Sequence, residues 1–271
     1  MKTPLRYPGG KSRAVKHILP YIPLDCGSFC APFLGGASIE LAVADRGTKV
    51  YGYDLFEPIV WFWQALLESP EKLADIADSY RVENEYEHKG QKIKAYGLPK
   101  ETFKKFREDI KLALENKEQF SYELAAKVYA VNRSSFSGAT LSGGFSKRAS
   151  YARFTDSSIE RIRQFKEPNL IVSQADFKES IERHPDSFLY CDPPYFLGKD
   201  KDKLYGVNGD KHEGFNHKEL HDLLSKRSGW VLSYNSSEEI RELYSDFKII
   251  EAKWAYGMNK TKKSSEIIIV G

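Results

Sequence analysis

Apolar positions recur at helical spacing over Ser12–Leu19, run together over Ser28–Phe33, and return to helical spacing over Ser38–Asp45. A short strand, Lys49–Tyr53, follows. Strand, glycine turn, helix and strand in that order predict a parallel α/β unit. The texture then changes. Glu71–Ser79, Glu101–Leu114 and Tyr122–Val131 carry the 3.6-residue period of amphipathic helices. Between them lie polar connectors, among them His88–Lys92 and the Gly/Ser-rich stretch Ser134–Ser146. Strand signals resume at Leu170–Ser173, Ser187–Cys191, Trp230–Ser233, Phe247–Glu251 and Glu266–Val270. A helix is expected over Asn216–Lys226, with Asn216 as N-cap and Glu219 three residues on. The pattern predicts an α/β sheet interrupted by a mainly helical insertion: residues 1–54 and 168–271 form the sheet, and 55–167 the insertion.

Composition narrows the class without changing that picture. The 271 residues are 41% hydrophobic and 29% charged, which excludes a disordered or collagen-like chain. No run reaches the roughly 20 apolar residues of a membrane span, and MKTPLRYPGG lacks the apolar core of a signal peptide. Three cysteines fit a reducing compartment better than a disulfide framework. The expected location is the cytoplasm. Net charge is only +3, so its distribution matters more. Leu124–Thr155 holds no acidic residue but carries Lys127, Arg133, Lys147, Arg148 and Arg153. A second basic cluster holds Lys253, Lys260, Lys262 and Lys263. Aromatic residues such as Phe136, Phe145, Tyr151 and Trp254 interleave with these cations. Cations with stacking surfaces suit nucleic acid, although a solvated face would show the same charges.

Three segments carry candidate chemistry. Asp192-Pro193-Pro194-Tyr195 follows the strand Ser187–Cys191 directly. The prolines end the strand and stiffen the turn, at the carboxyl edge where open α/β sheets bind ligands. A carboxylate beside the Pro193 carbonyl makes a two-acceptor clamp for a neutral amino group, and the Tyr195 ring can stack on a base. The second segment is Phe29–Ser38, FCAPFLGGAS, followed by a strand ending in Tyr53-Asp54. A glycine turn and an acid about 20 residues later have the logic of a ribose-binding carboxylate. The third is Arg6-Tyr7-Pro8-Gly9-Gly10-Lys11-Ser12. It is not a P-loop, because Leu5 stands where the motif's first glycine is required.

YPGGK, PFLGGAS, GYD, NRSSFSG with RFTDSSIERI, and CDPPY occur in this order across most of the chain. In these pieces the chain resembles the Dam-like family of DNA adenine-N6 methyltransferases. The resemblance implies a class I S-adenosylmethionine-dependent methyltransferase sheet, Rossmann-like, with a helical target-recognition insertion. It implies S-adenosylmethionine as methyl donor, contacted by Tyr7, Lys11, Phe33, Gly35 and Gly36. Asp54 would accept from the ribose hydroxyls, Asp176 and Phe177 would flank the adenine ring, and Asp192 would touch both cofactor and target base. Asp192, Pro193, Pro194 and Tyr195 would be the catalytic group. The partner would be double-stranded DNA, held by Arg133, Lys147, Arg148 and Arg153 of the insertion and by Lys260, Lys262 and Lys263. A bacterial or phage-type enzyme is expected, with a restriction endonuclease as a possible partner.

Two departures stand out. Many family members carry Glu where this chain has Ala31, and residues 138–146 do not match the segment by which GATC-specific members read DNA. The recognition sequence is therefore not inherited. The amino-group clamp leaves cytosine-N4 or RNA methylation open, as well as a DNA-binding protein without catalysis. Elsewhere the expectations are plain. Cys26 and Cys30 have no second ligand pair, so no metal site is expected. Cys191 should be buried, His212, His217 and His221 should cap or face solvent, and Trp61 and Trp63 should pack.

Overall fold

The computed structural model describes residues 2–88, 90–196, 215–252 and 266–271. The chain opens with a 3-10 turn at Lys11–Arg13 and a short helix α1 (Val15–Ile18), and then forms β1 (Ser28–Ala31), α2 (Ser38–Ala44) and β2 (Lys49–Asp54). The insertion runs through α3 (Glu57–Glu68), α4 (Pro70–Ser79), β3 (Val82–His88), β4 (Gln91–Gly97), α5 (Lys100–Glu115), α6 (Tyr122–Ser134), α7 (Lys147–Arg153) and α8 (Asp156–Arg163). The sheet resumes with β5 (Leu170–Gln174), α9 (Phe177–Arg183), β6 (Phe188–Cys191), α10 (His217–Leu224), β7 (Trp230–Asn235), α11 (Glu238–Leu243), β8 (Lys248–Ala252) and β9 (Glu266–Val270).

Seven strands form one sheet in the order β5-β2-β1-β6-β7-β9-β8. The five from β5 to β7 are parallel, and β9 runs antiparallel to both of its neighbours. The period-2 alternation of side chains builds two cores. Phe29, Ala31, Tyr190, Val231 and Ile268 face one side. Cys30, Leu189, Cys191, Leu232 and Ile267 face the other. Strand order reverses between β1 and β6, so the turns after these two strands part and leave a crevice at the carboxyl edge.

The expected strands appear within a residue or two of their sequence bounds. The structure adds elements the periodicity did not announce. α3 is buried at eight of its twelve positions, from Pro58 to Leu66. A helix apolar on most sides shows no stripe. The pair β3–β4 lies where a polar connector was expected. Its register sets Glu85 opposite Lys94; one face carries the exposed charges Glu83, Glu85, Lys92 and Lys94, and on the other the apolar Val82 and Ile93 are exposed as well. The insertion does not fold around a core of its own. Leu66, Ala126, Val131 and Ile162 pack in the same cluster as Phe29 and Val231 of the sheet.

Candidate active site

A cavity of about 480 Å³ opens at the crevice, within the ordinary range of small-molecule sites. All nine residues expected to hold the cofactor line it: Tyr7, Lys11 and Phe33; Gly35, Gly36 and Asp54; Asp176, Phe177 and Asp192. Pro193, Pro194 and Tyr195 line it too. Residues more than 180 positions apart thus converge at one strand edge.

The glycine turn after β1 is pinned from three directions. Asp54, at the end of β2, accepts from the Gly35 amide through Oδ2 at 2.8 Å and from the Phe56 amide through Oδ1 at 2.9 Å. Each carboxylate oxygen can accept two hydrogen bonds, so holding this turn is compatible with holding a hydroxyl. Trp63 donates its indole N–H to the Gly35 carbonyl at 3.0 Å. Tyr7 packs against the turn. Gly35 has φ of +45°, and a Cβ there would lie 2.8 Å from the Tyr7 ring, so glycine is required by both conformation and space. Beyond the turn Phe33, Phe177 and Phe215 form an aromatic trio, with ring centroids 5.2–5.8 Å apart. Asp176 caps α9, accepting from the Glu179 amide at 2.8 Å.

The Asp192 carboxylate is fixed on both oxygens. Lys11 Nζ donates to Oδ2 at 2.7 Å and to the Gly9 carbonyl at 3.0 Å. Ser233 Oγ donates to Oδ1 at 2.9 Å and is itself 2.9 Å from the Tyr190 hydroxyl. Lys11 is only 5% exposed, so its ammonium is desolvated, while the Asp192 carboxylate stays partly open to the cavity. Tyr195 donates its hydroxyl to Glu266 at 2.8 Å, stacks on Tyr234 with centroids 5.9 Å apart, and has the Lys11 ammonium 5.0 Å from its ring centre. Burial first, then the charges of Asp192 and Glu266, hold the Tyr195 phenol well above its usual range. It stays protonated and keeps donating.

Sequence reasoning missed several of these groups. Ser233, Tyr234, Glu266 and Phe215 carry no motif of their own. Glu40 had a readable signal, a single charge inside the apolar run of α2. It is 2% exposed and lines the cavity. Burial pushes its carboxyl up to about 8; the Asp192 charge adds to the shift and Lys11 opposes it. Trp61 and Trp63 pack as expected, and Trp63 also holds the turn. Cys30 and Cys191 are buried in β1 and β6. Among the described residues no three of His, Cys, Asp and Glu are grouped to hold a metal ion, and no helix is long and apolar enough to cross a membrane.

The basic candidates divide. Lys147 and Arg148 are exposed in the first turn of α7, and Arg153 is exposed at its end. Arg133 sits differently from the expectation of an outward-reaching reader. It is 7% exposed, and its guanidinium donates to the main-chain carbonyls of Arg153 and Pro4. Its position at the inner end of α6 explains this. Lys260, Lys262 and Lys263 lie outside the described residues, as do Lys253, Trp254 and His212.

Residues 7–258 match the family described as D12 class N6 adenine-specific DNA methyltransferase. That span runs from Tyr7 through Asp192 and takes in the cavity's lining. The chain belongs to this family. It is an adenine-specific DNA methyltransferase, and the seven-stranded, mainly parallel sheet agrees with a class I methyltransferase fold. The chain is also similar to the Type II methyltransferase M.CviBI of Paramecium bursaria Chlorella virus NC1A, at 23% identity over 98% of this chain and 96% of the relative. The methyltransferase therefore needs a methyl donor and acts on DNA.

Proposed function

We propose that the methyl donor is S-adenosylmethionine and that the target is an adenine turned out of duplex DNA into the Asp192 cavity. The observation that carries this reading is the convergence on one cavity of the pinned glycine turn, Asp54, the aromatic trio and a fixed carboxylate–proline turn. The donor set fits the cofactor: Asp54 for the ribose hydroxyls, Phe33 and Phe177 for the adenine ring, and the Gly35–Gly36 backbone with Tyr7 and Lys11 toward the methionine end.

When bound, S-adenosylmethionine supplies a methyl group activated on sulfur and leaves as S-adenosylhomocysteine. The protein's part is alignment. A base cannot react while stacked, and turning it out costs roughly a few kcal/mol. Asp192 and the Pro193 carbonyl accept from the adenine amino group, which aims the nitrogen lone pair at the methyl carbon. Lys11 and Ser233 keep the acceptor in place beforehand, so little reorganisation is left to the reacting complex. The amino nitrogen, held by Asp192 and the Pro193 carbonyl, would take the methyl group and give up one proton to solvent at the mouth of the cavity. Tyr195, tethered to Glu266, supplies a stacking wall.

The test is transfer of a labelled methyl group from S-adenosylmethionine to duplex DNA, followed by nucleoside analysis. N6-methyladenine is the expected product, and S-adenosylhomocysteine should bind the free enzyme. N4-methylcytosine, or methylation of RNA only, would overturn the substrate reading.

A further inference from the structure

A second cleft, of about 370 Å³, lies beside the active-site cavity. Its lining draws cations from three parts of the chain: Lys2 and Arg6 from the N-terminal segment, Arg133 and Arg153 from the ends of α6 and α7, and Arg161 from α8. Thr3 and Ser12 add hydroxyls, and among the described residues no carboxylate lines it. Among the described residues, none of the four arginines takes part in an ion pair. This arrangement is costly in the free protein. Burial, followed by the nearby charges of Arg133 and Arg153, lowers Arg6 to about 10. Burial also lowers Arg133, where Arg161 and Arg153 add repulsion. A buried cation without an anion is strongly unfavourable, so Arg133, buried beside the half-buried Arg6, gains from an anion that enters, and the exposed Arg153 and Arg161 add positive charge to the same cleft.

The cleft is also built. Arg133 bridges the Arg153 and Pro4 carbonyls, and Arg6 donates to the Ser135 carbonyl at 3.1 Å. Asn132 clasps the Arg6 main chain, accepting from its amide at 3.0 Å and donating to its carbonyl at 2.7 Å. The walls are thereby fixed to one another. Arg6 directly precedes Tyr7, and Ser12 directly follows Lys11, so the cleft and the cavity share two stretches of backbone.

We propose that this cleft receives a backbone phosphate of the DNA strand whose adenine enters the Asp192 cavity. The proposal rests on duplex DNA being the substrate, and it gives the cleft a positioning role. One phosphate docked here sets how far the strand advances before the base turns out. Phosphate contacts position the duplex without reading it.

Binding should be measured with duplexes carrying one neutral methylphosphonate, walked along the strand on each side of the adenine, against the wild type and Arg153→Ala/Arg161→Ala. Wild type should lose roughly tenfold in affinity at one position. The double variant should bind unmodified duplex more weakly, with a salt slope lower by about 0.9 for each phosphate neutralisation removed. It should be indifferent to the methylphosphonate at that position. Lysine at both sites should restore the slope, and unchanged S-adenosylhomocysteine affinity should show that the neighbouring cavity is intact. A variant as sensitive as the wild type at every position would overturn the cleft assignment alone. Inorganic phosphate binding without any methylphosphonate effect would also overturn it, as a site for a free anion. Wild type that binds no duplex would overturn the DNA reading and this proposal with it.

Discussion

Asp192 is held by Lys11 and Ser233 before any substrate arrives, and this makes two consequences of its removal separable. Asp192→Ala deletes one acceptor of the clamp, and turnover should fall about 100- to 1,000-fold, as for other preorganised hydrogen-bonding groups. It also leaves the Lys11 ammonium buried without its carboxylate. The broken ion pair predicts a loss of about 3–5 kcal/mol, seen by denaturant unfolding alongside the activity assay. Near-normal turnover in a folded variant would remove Asp192 from the clamp. Glu40 gives a pH signature. Its ordinary value is near 4.5, and the folded value is about 8. Below 4.5 both folded and unfolded chains hold the proton; between 4.5 and 8 only the folded chain does. Stability from this group is thus lost as pH rises through that window, by on the order of a few kcal/mol. Glu40→Gln should flatten that decline, and its unfolding free energy measured across that same pH window checks the sign.

At the scale of elements, α3 reaches the glycine turn after β1 through the hydrogen bond from Trp63 to the Gly35 carbonyl. Trp63→Phe keeps a buried ring but orphans that carbonyl. S-adenosylhomocysteine affinity should weaken roughly tenfold, in line with about 1–2 kcal/mol for a buried hydrogen bond left unmade; calorimetric titration reads it. Unchanged affinity would mean the turn holds its shape through Asp54 and Tyr7 alone. The strands were legible because each is a compact apolar run, and Asn216 at the start of α10 was legible because it caps as the residue type suggests. Most of the cavity's lining was legible because prolines, glycines and an acid occupy strand ends, where packing does not ask for them. α3 was hidden by being apolar on most sides, and the β3–β4 pair by being charged. Arg133 looked like a surface cation because nothing local announces that α6 carries it inward.

For the whole molecule, exposed charge and shared packing both bear on how DNA would be met. Lys147 and Arg148 occupy the first turn of α7, where the helix dipole disfavours cations by roughly 0.3–1 kcal/mol. A partner with negative groups or base edges offsets that. Alanine at each should cost about 1–3 kcal/mol on the cognate duplex if it reads a base, and weaken cognate and scrambled duplexes alike if it touches only phosphate. Neutralising Lys260, Lys262 and Lys263 should lower the salt slope by about 0.9 for every phosphate no longer neutralised, without changing sequence preference. Binding curves on both duplexes at several salt concentrations separate these cases. The core shared by the insertion and the sheet bears on how the duplex must yield. Leu66, Val131 and Ile162 cannot pivot away from Phe29 and Val231 without exposing apolar surface, so the bending and unstacking needed to bring an adenine to Asp192 fall mainly on the nucleic acid. The flexibility of untouched flanking steps then becomes part of site choice: among sites with identical contacted bases, those next to easily kinked pyrimidine–purine steps are methylated first.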